Sequence, residues 1–277
     1  MSFELLSITK SHPLATITMT REEKRNALSP ELIAELKRAF DELKNDEDVR
    51  VVILRGQGNT FSAGADLAYL QKIADAGPEE NLADSRSLRD LLWQIYTFPK
   101  FTIAQVHGAA LAGGCGLATV CDVIFAADDS QFGYTETAIG FIPALVSIFL
   151  VRKIGEQHAR ELLLSARKIS AEEAYSLGLA QYVVPCGSLE AAVQDYALQV
   201  AKNSPSAIAL TKSLLAAQHG NAHRKVRRAL QQPVVRIDDD PSRSPKGLDR
   251  IVRLVAGEID TPILRLALGL DAQLHRH

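Results

Sequence analysis

The sequence has few cysteines, little net charge and no ligand cluster of the kind that holds a metal. Only three of its 277 residues are cysteine, and Cys115, Cys121 and Cys186 have neither metal-ligand spacing nor the density of a disulfide framework. We interpret them as small buried residues of a protein from a reducing compartment, and we expect the cytoplasm. The formal net charge of −2 gives no overall attraction to nucleic acid or to an anionic membrane.

Long apolar runs and cofactor motifs are also missing. The longest apolar run, Phe141 to Val151, is interrupted by Pro143 and Ser147 and is too short to cross a bilayer. The first residues carry an acidic group at Glu4 and no basic-then-apolar leader, so we expect no signal peptide. Without a GxGxxG turn or a His/Cys cluster, the sequence predicts neither a redox cofactor nor a metal.

The patterns that are present predict an α/β protein. Phe3 to Ile8 and Leu14 to Met19 indicate a β-hairpin, and Ser29 with Pro30 indicates the start of a helix. The apolar run Val49 to Leu54 predicts a strand covered on both faces. Because strands and helices then alternate, we expect right-handed βαβ crossovers.

A polar segment then separates the first strands from the next helix. Gly77, Pro78 and the run Glu79 to Arg86 predict a mobile loop. A helix with leucine and isoleucine on one side is expected to follow it, and Trp93 in that helix is a candidate for the lining of a pocket.

The most informative stretch lies between Phe101 and Gly140. Phe101 to Val106 predicts an apolar strand, and the small residues from Gly108 to Gly114 predict a turn into a helix. The first amides of such a helix have no helical partner and can stabilise a developing oxyanion. Glu136 follows, and a carboxylate beside such a turn suits proton abstraction next to a carbonyl.

A second turn of small residues runs from Phe61 to Ala65, with a helix predicted from Asp66 to Ile73. Two such turns can each supply one amide to a single oxygen. Taken singly, such a turn is commonly a packing device, and a single glutamate such as Glu136 is more often a solvated surface group.

Four ordered motifs resemble the crotonase family of enoyl-CoA hydratases and isomerases. They are KRNALS at 24–29, FSAGADL at 61–67, IAQVHGAALAGGCGLATVCDVIFAADDSQFGYTETAIGFIP at 103–143 and ISAEEAYSLGLAQYVVP at 169–185. The resemblance implies a crotonase-like ββα spiral fold with a C-terminal α-helical region. Residues 1–200 would form the core with the acyl-CoA site, and residues 201–277 a helical region that packs in homotrimers or dimers of trimers.

The resemblance also implies a site. The substrate would be an acyl-CoA thioester, with its carbonyl oxygen between the amides of Ala65 and Gly113 and with Glu136 transferring protons. Coenzyme A is then part of the substrate, so no separate cofactor, membrane or nucleic-acid partner is expected. The residues expected to bind the substrate by this resemblance are Arg25, Ala27, Ala63, Gly64, Asp66, Leu67 and Gly116.

Gly116 is the main departure from the family pattern. Family hydratases carry two glutamates that share a water; the second falls on Glu136, and the first would fall on Gly116. We expect Gly116 to leave room beside Glu136 for a water or for a branched or carboxylated acyl group. The segment after Glu136 resembles hydratases of branched dicarboxylic or terpenoid acyl-CoAs, which favours a hydratase, but a single glutamate also suits a Δ3-Δ2 isomerase.

The C-terminal tail leaves further alternatives. The resemblance fades after about residue 219, and residues 221–277 hold 11 Lys and Arg against 7 Asp and Glu. This tail is compatible with a divergent helix pair, a basic interaction arm or a shifted reading frame; we hypothesise that it is foreign to the family. A non-catalytic protein that binds acyl-CoA, or RNA through Arg224 to Arg228, is the remaining alternative.

Overall fold

The structure, a computed structural model, describes residues 3–66, 69 and 78–217. Within them, strands and helices alternate as an α/β protein requires. The strands are β1 Leu6–Ser11, β2 Leu14–Met19, β3 Val51–Gly56, β4 Thr60–Ser62, β5 Phe101–Val106, β6 Ala109–Leu111, β7 Val123–Ala127, β8 Gln131–Gly133, β9 Lys168–Ser170 and β10 Tyr182–Val184. The helices are α1 Pro30–Lys44, α2 Pro78–Tyr96, α3 Gly113–Val120, α4 Ala144–Ser165, α5 Ala171–Ser176, α6 Leu189–Val200 and α7 Pro205–Ala217.

The strands form two sheets, and each successive turn of the chain adds one strand to each of them. The larger sheet has the order β1-β2-β3-β5-β7-β10, and the smaller has the order β4-β6-β8-β9. Each of the pairs β3/β4, β5/β6 and β7/β8 gives one strand to each sheet before the chain moves on. All sheet contacts are parallel except β1 with β2 and β8 with β9. The result is a repeating ββα spiral.

Local sequence signals account for several of these elements. Leu14 to Met19 pairs with β1 as the hairpin pattern predicts. The Ser29 hydroxyl caps α1 by accepting from the Leu32 N–H, and Pro30 occupies the first helical position. Val51 to Leu54 is fully buried, which confirms a strand covered on both faces.

The loop prediction for residues 78–86 is wrong, because α2 begins at Pro78. Proline is well suited to the first turn of a helix, and acidic residues are favourable near a helix N-terminus. The polar composition of this run therefore belongs to a helix rather than to a loop.

A partly buried ion pair connects the C-terminal helix of the described region to the residue that precedes β7 of the large sheet. Asp122 accepts hydrogen bonds from the N–H and hydroxyl of Thr102, at 2.8 and 2.9 Å, and from Lys212 Nζ of α7 at 2.5 Å. The Lys212 ammonium also donates to the carbonyl of Lys100 at 3.0 Å. Asp122 is thus the structural group that its position after α3 suggests. Residues 218–277, including the predicted basic tail, lie outside the described residues, and none of the described helices is both long and apolar enough to cross a membrane.

Replacing Asp122 with alanine should destabilise the fold. The substitution leaves the Lys212 ammonium, whose side chain is 10% exposed, without its counter-charge. We expect the free energy of unfolding, measured by urea denaturation, to fall by about 2 to 4 kcal/mol. Asp129→Ala, at an exposed position nearby, should change it by less than about 0.5 kcal/mol. Equal unfolding midpoints for the two variants would contradict this role for Asp122.

Candidate active site

Two turns of small residues approach each other so closely that a side chain would not fit between them. A Cβ on Gly64 would lie 2.7 Å from the Leu111 carbonyl oxygen and 2.8 Å from the Ala112 Cβ. A Cβ on Gly114 would lie 2.6 Å from the Ser62 carbonyl oxygen. Gly64 also has φ +90°, a conformation that favours glycine. The turns after β4 and β6 are therefore in direct backbone contact.

The contact directs two backbone N–H groups away from the protein's own acceptors. The Leu28 N–H donates to the Gly64 carbonyl at 2.7 Å, and the Asp66 N–H donates to the Leu28 carbonyl at 3.2 Å. Since amides alternate in direction along extended backbone, the intervening Ala65 N–H faces the opposite side. The Gly113 N–H lies at the start of α3, where helical amides have no helical acceptor. Within the described part of the chain, neither amide donates a hydrogen bond.

Ala112 holds the Gly113 amide in place at a cost in backbone strain. Its φ of 47° and ψ of −126° are unusual for a residue with a side chain. The Ala112 N–H donates to the Gly133 carbonyl at 2.7 Å, and its carbonyl accepts from the Gly116 N–H at 3.0 Å. These two bonds fix the conformation. Strain of this kind is characteristic of functional turns.

Both amide-bearing residues line a cavity of about 200 Å³. Its walls come from the two turns, from α1 and α2, and from the segment that joins Glu136 to α4. Most of the lining is apolar. The polar lining residues are Tyr69, Asp84, Ser85, Thr135 and Glu136, and the apolar ones are Leu28, Ile33, Ala63, Ala65, Leu88, Ala112, Gly113, Ile139, Phe141, Ile142, Pro143, Ala144, Leu145 and Val146.

Glu136 has a fixed backbone and an unsatisfied side chain. Its carbonyl accepts from the N–H groups of Ile139 and Phe141 at 3.1 and 3.0 Å, and the neighbouring Thr137 hydroxyl donates to the Leu163 carbonyl. The Oε2 atom of Glu136 is buried and has no hydrogen-bond partner among the residues that the structure describes. Burial raises the pKa of the Glu136 carboxyl to about 7. Oε2 is therefore available to accept a hydrogen bond from a molecule that enters the cavity.

Comparison with known proteins identifies the family of this chain. The family model for enoyl-CoA hydratase/isomerase matches residues 9–251. The chain belongs to this family. The match ends at residue 251 and therefore extends beyond residue 219, the point after which the motif resemblance fades.

Several relatives share most of their length with this family member. A Thermus thermophilus protein provisionally named as an enoyl-CoA hydratase is 45% identical over 216 residues, which are 78% of this chain and 85% of its own. The structure of an enoyl-CoA hydratase/isomerase from Xanthobacter autotrophicus is 29% identical, with a TM-score of 0.79 over 99% of this chain and 100% of its own. A Legionella pneumophila structure provisionally described as enoyl-CoA hydratase/isomerase (crotonase) is 34% identical, with a TM-score of 0.74 over 93% and 98% of the two chains. The predicted crotonase-like fold is therefore confirmed.

The room expected beside Gly116 does not exist in this family member. A Cβ on Gly116 would lie 2.5 Å from the Val146 Cγ1, and Gly116 is not among the residues that line the cavity. Val146, from the first turn of α4, occupies the space and itself lines the cavity. The expectation that Gly116 admits a water or a larger acyl group is therefore wrong, because the sequence did not show what α4 would pack against α3.

Only some of the residues expected to contact coenzyme A line the cavity. Ala63 and Ala65 line the cavity, whereas Gly64 serves the close backbone contact. Arg25 is exposed, as a phosphate ligand requires, and its carbonyl accepts from the Ala63 N–H at 2.9 Å. Leu67 lies outside the described residues.

Arg21 ties the two expected CoA-binding segments to each other. Its Nη2 donates to Asp66 Oδ2 at 2.8 Å, and its Nη1 donates to the Ala27 carbonyl at 2.9 Å. Ala27 is buried. Asp66 thus uses its carboxylate, at least in part, in an internal ion pair.

Ser62, Tyr134, His107 and Trp93 have structural contacts. Ser62 Oγ donates to the Asn26 carbonyl at 2.8 Å, and the buried Tyr134 hydroxyl is 2.6 Å from Thr119 Oγ1. The His107 ring lies 2.8 Å from the Gly58 carbonyl through Nε2. Trp93 packs against the core and lies beside Tyr96, and it is not among the residues that line the cavity.

Sequence reasoning missed Tyr69 and Asp84, which form a polar wall of the cavity. Asp84 lies in the segment predicted to be a loop, and a loop has no periodicity from which the direction of a side chain follows. The helical spacing places Asp84 one turn before Leu88 and two turns before Leu91, which both lie on the inner face. Extending that periodicity upstream would have indicated an inward carboxylate.

Gly116→Ala tests whether Val146 fills the space beside α3. Alanine normally favours a helix interior over glycine by about 0.5 to 1 kcal/mol, but the contact with stiff, branched Val146 should outweigh this gain. We expect the free energy of unfolding to fall by about 1 to 2 kcal/mol in urea denaturation. In the Val146→Ala background the same change should have no cost or be stabilising. An equal effect in both backgrounds would show that Val146 does not restrict position 116.

Proposed function

We propose that the protein is an enoyl-CoA hydratase that adds water to a 2-enoyl-CoA thioester with Glu136 as its proton-transfer residue. The observation that carries the proposal is the buried, unpartnered Glu136 Oε2 in the cavity that Ala65 and Gly113 also line. An acyl-CoA substrate agrees with the family, and the relatives' names favour a hydratase. Coenzyme A would arrive with the substrate, and the chemistry below requires no other cofactor.

In the proposed reaction the thioester carbonyl oxygen accepts hydrogen bonds from the Ala65 and Gly113 amides. Ionised Glu136 takes a proton from a water, whose oxygen forms a bond to the β-carbon of the enoyl group. The electron pair of the double bond moves toward the thioester oxygen, and the two amides stabilise the enolate. Protonated Glu136 then returns the proton to the α-carbon, so that one molecule of water is added and the carboxylate is restored.

A carboxyl with a pKa of about 7 is suited to both halves of this sequence. A base with a very low pKa would bind the proton of water poorly, and an acid with a very high pKa would release it poorly to carbon. Burial raises the pKa of Glu136 to this intermediate value, and a backbone hydrogen bond opposes part of the shift. One residue can therefore do in succession the work that two glutamates share in other family hydratases.

The second candidate is a Δ3-Δ2 enoyl-CoA isomerase. It is favoured by Val146, which occupies the side of α3 where a second glutamate would otherwise lie. In that reaction Glu136 would take a proton from the α-carbon of a 3-enoyl group and return it to the γ-carbon, with the same enolate held by the same amides. No water would be consumed.

The expected homotrimer or paired trimer remains a proposal, supported by the apolar exposed surface of α7. Leu210, Leu214 and Leu215 are between 53% and 65% exposed on this helix. Residues 201–217 would then contribute to contacts between copies, as the predicted division at about residue 200 requires.

Incubation with enoyl-CoA thioesters in H₂¹⁸O separates the two activities. A hydratase incorporates one labelled oxygen into a 2-enoyl-CoA, which mass spectrometry detects. An isomerase moves the double bond of a 3-enoyl-CoA without a change in mass, which the absorbance of the conjugated product detects. Absence of both reactions would overturn the proposal and leave acyl-CoA binding alone.

Glu136→Gln should lower kcat for hydration by at least about 100-fold, since the amide cannot carry the proton. The Kd for a saturated acyl-CoA should change by less than about threefold, because the oxyanion-binding amides and the cavity are unchanged. Glu156→Gln, at an exposed position of α4, is the matched control and should leave kcat unaltered. Retention of more than a tenth of the activity in Glu136→Gln would exclude Glu136 as the proton-transfer residue.

The same variant should be more stable than the wild type at high pH. Between pH 4.5 and about 7 the folded protein keeps a proton on Glu136 that the unfolded chain has released, so stability falls as pH rises through this range. The loss is at most about 3 kcal/mol, and glutamine avoids it. Glu136→Gln should therefore unfold at a higher urea concentration than the wild type at pH 8 but not at pH 4.5. A stability difference independent of pH would show that the pKa is not raised.

A further inference from the structure

Asp84 is a second carboxylate in the wall of the acyl cavity, separate from the proton-transfer residue. The Tyr69 hydroxyl donates to Asp84 Oδ1 at 2.9 Å, and both residues line the cavity. Asp84 lies on α2, whereas Glu136 lies between β8 and α4. The same helix contributes Leu88 to the apolar lining one turn further on. Asp84 therefore belongs to the side of the cavity that α2 forms.

The described residues that line the cavity with Asp84 carry no compensating positive charge. Among the described residues of the cavity wall there is no lysine, arginine or histidine. Burial raises the pKa of the Asp84 carboxyl above its usual value, and the Tyr69 hydrogen bond opposes the shift. Tyr69 is the sole donor to Asp84 within the described part of the chain. The carboxylate thus has acceptor capacity left for a ligand, because an ionised carboxylate has about four lone-pair sites.

We propose that Asp84, positioned by Tyr69, determines which acyl groups enter the site: it accepts a hydrogen bond from a neutral acyl group that carries a hydroxyl, and it rejects an acyl group that ends in a carboxylate. The carboxylate of such an acyl group would be the third in this cavity, after Glu136 and Asp84, and the described lining residues supply no cation to neutralise any of the three charges. A hydroxyl, in contrast, satisfies the unused acceptor sites of Asp84. This selection rests on the proposed acyl-CoA function, and it removes dicarboxylic acyl groups from the substrates that the sequence suggested.

Binding of saturated acyl-CoA thioesters tests the selection without requiring turnover. Isothermal titration calorimetry on the full chain would compare butanoyl-CoA, 4-hydroxybutanoyl-CoA and glutaryl-CoA. We expect the wild type to bind glutaryl-CoA at least about tenfold more weakly than butanoyl-CoA, and 4-hydroxybutanoyl-CoA at least as tightly as butanoyl-CoA. A tenfold ratio corresponds to about 1.4 kcal/mol, which is modest for an unpaired charge in a partly buried site.

Asp84→Asn should reduce the ratio between glutaryl-CoA and butanoyl-CoA to about threefold or less, mainly by tightening glutaryl-CoA. Asn is similar in size and keeps an acceptor for Tyr69, so folding is expected to be preserved. Tyr69→Phe should weaken 4-hydroxybutanoyl-CoA relative to butanoyl-CoA while glutaryl-CoA remains rejected. Asp90→Asn is the matched control, since Asp90 lies on the same helix with a 54% exposed side chain, and all ratios should stay within twofold of the wild type.

The outcomes separate this inference from the proposed function. If ¹⁸O incorporation is absent for every thioester but the wild-type ratio is present and falls in Asp84→Asn, the hydratase proposal fails and the selection stands. If hydration occurs but Asp84→Asn leaves the ratio within twofold of the wild type, the selection is overturned and the hydratase proposal stands. A uniform loss of kcat for all substrates in Asp84→Asn, with unchanged binding ratios, would also overturn it and indicate a second proton-transfer residue.

Discussion

The site depends on the close backbone contact between the turn at residues 62–65 and the turn at residues 111–114. Gly64 and Gly114 allow this approach because neither has a Cβ to separate the two chains. The contact brings Ala65 and Gly113 to one cavity although they belong to different turns of the spiral. Each turn alone is an ordinary strand connection. Together they provide two N–H groups that donate to no carbonyl of the described residues.

Two features near this contact lower the stability of the folded protein. Ala112 adopts a conformation that glycine would adopt more easily, and the Glu136 carboxyl is buried without a partner for Oε2. Both features cost folding free energy, and the surrounding hydrogen bonds and the large apolar core offset that cost. A strained backbone and an unsatisfied carboxyl lie in the same small region. Packing alone does not explain this coincidence, which indicates a functional site.

The sequence predicted the elements whose signals are local. The Ser29 cap, the hairpin at β1 and β2, and the buried strand β3 follow from residues that are adjacent in the chain. The two small-residue turns and Glu136 were also identified as candidates. The smaller sheet was not predicted, because strands such as Ala109–Leu111 have three residues and read as parts of turns. Strands this short are defined by their partners rather than by their own periodicity.

Predictions that depended on distant packing were less successful, and position 116 shows why. The absence of a glutamate there is visible in the sequence, but the consequence depends on Val146, which lies 30 residues further along the chain in α4. The sequence suggested a vacant position, and the structure shows an apolar side chain in it. The second carboxylate of the cavity wall is Asp84, which lies on α2. Asp84 lies on α2 and not on α3, so it does not occupy the position of the absent glutamate, and the role we propose for it is substrate selection.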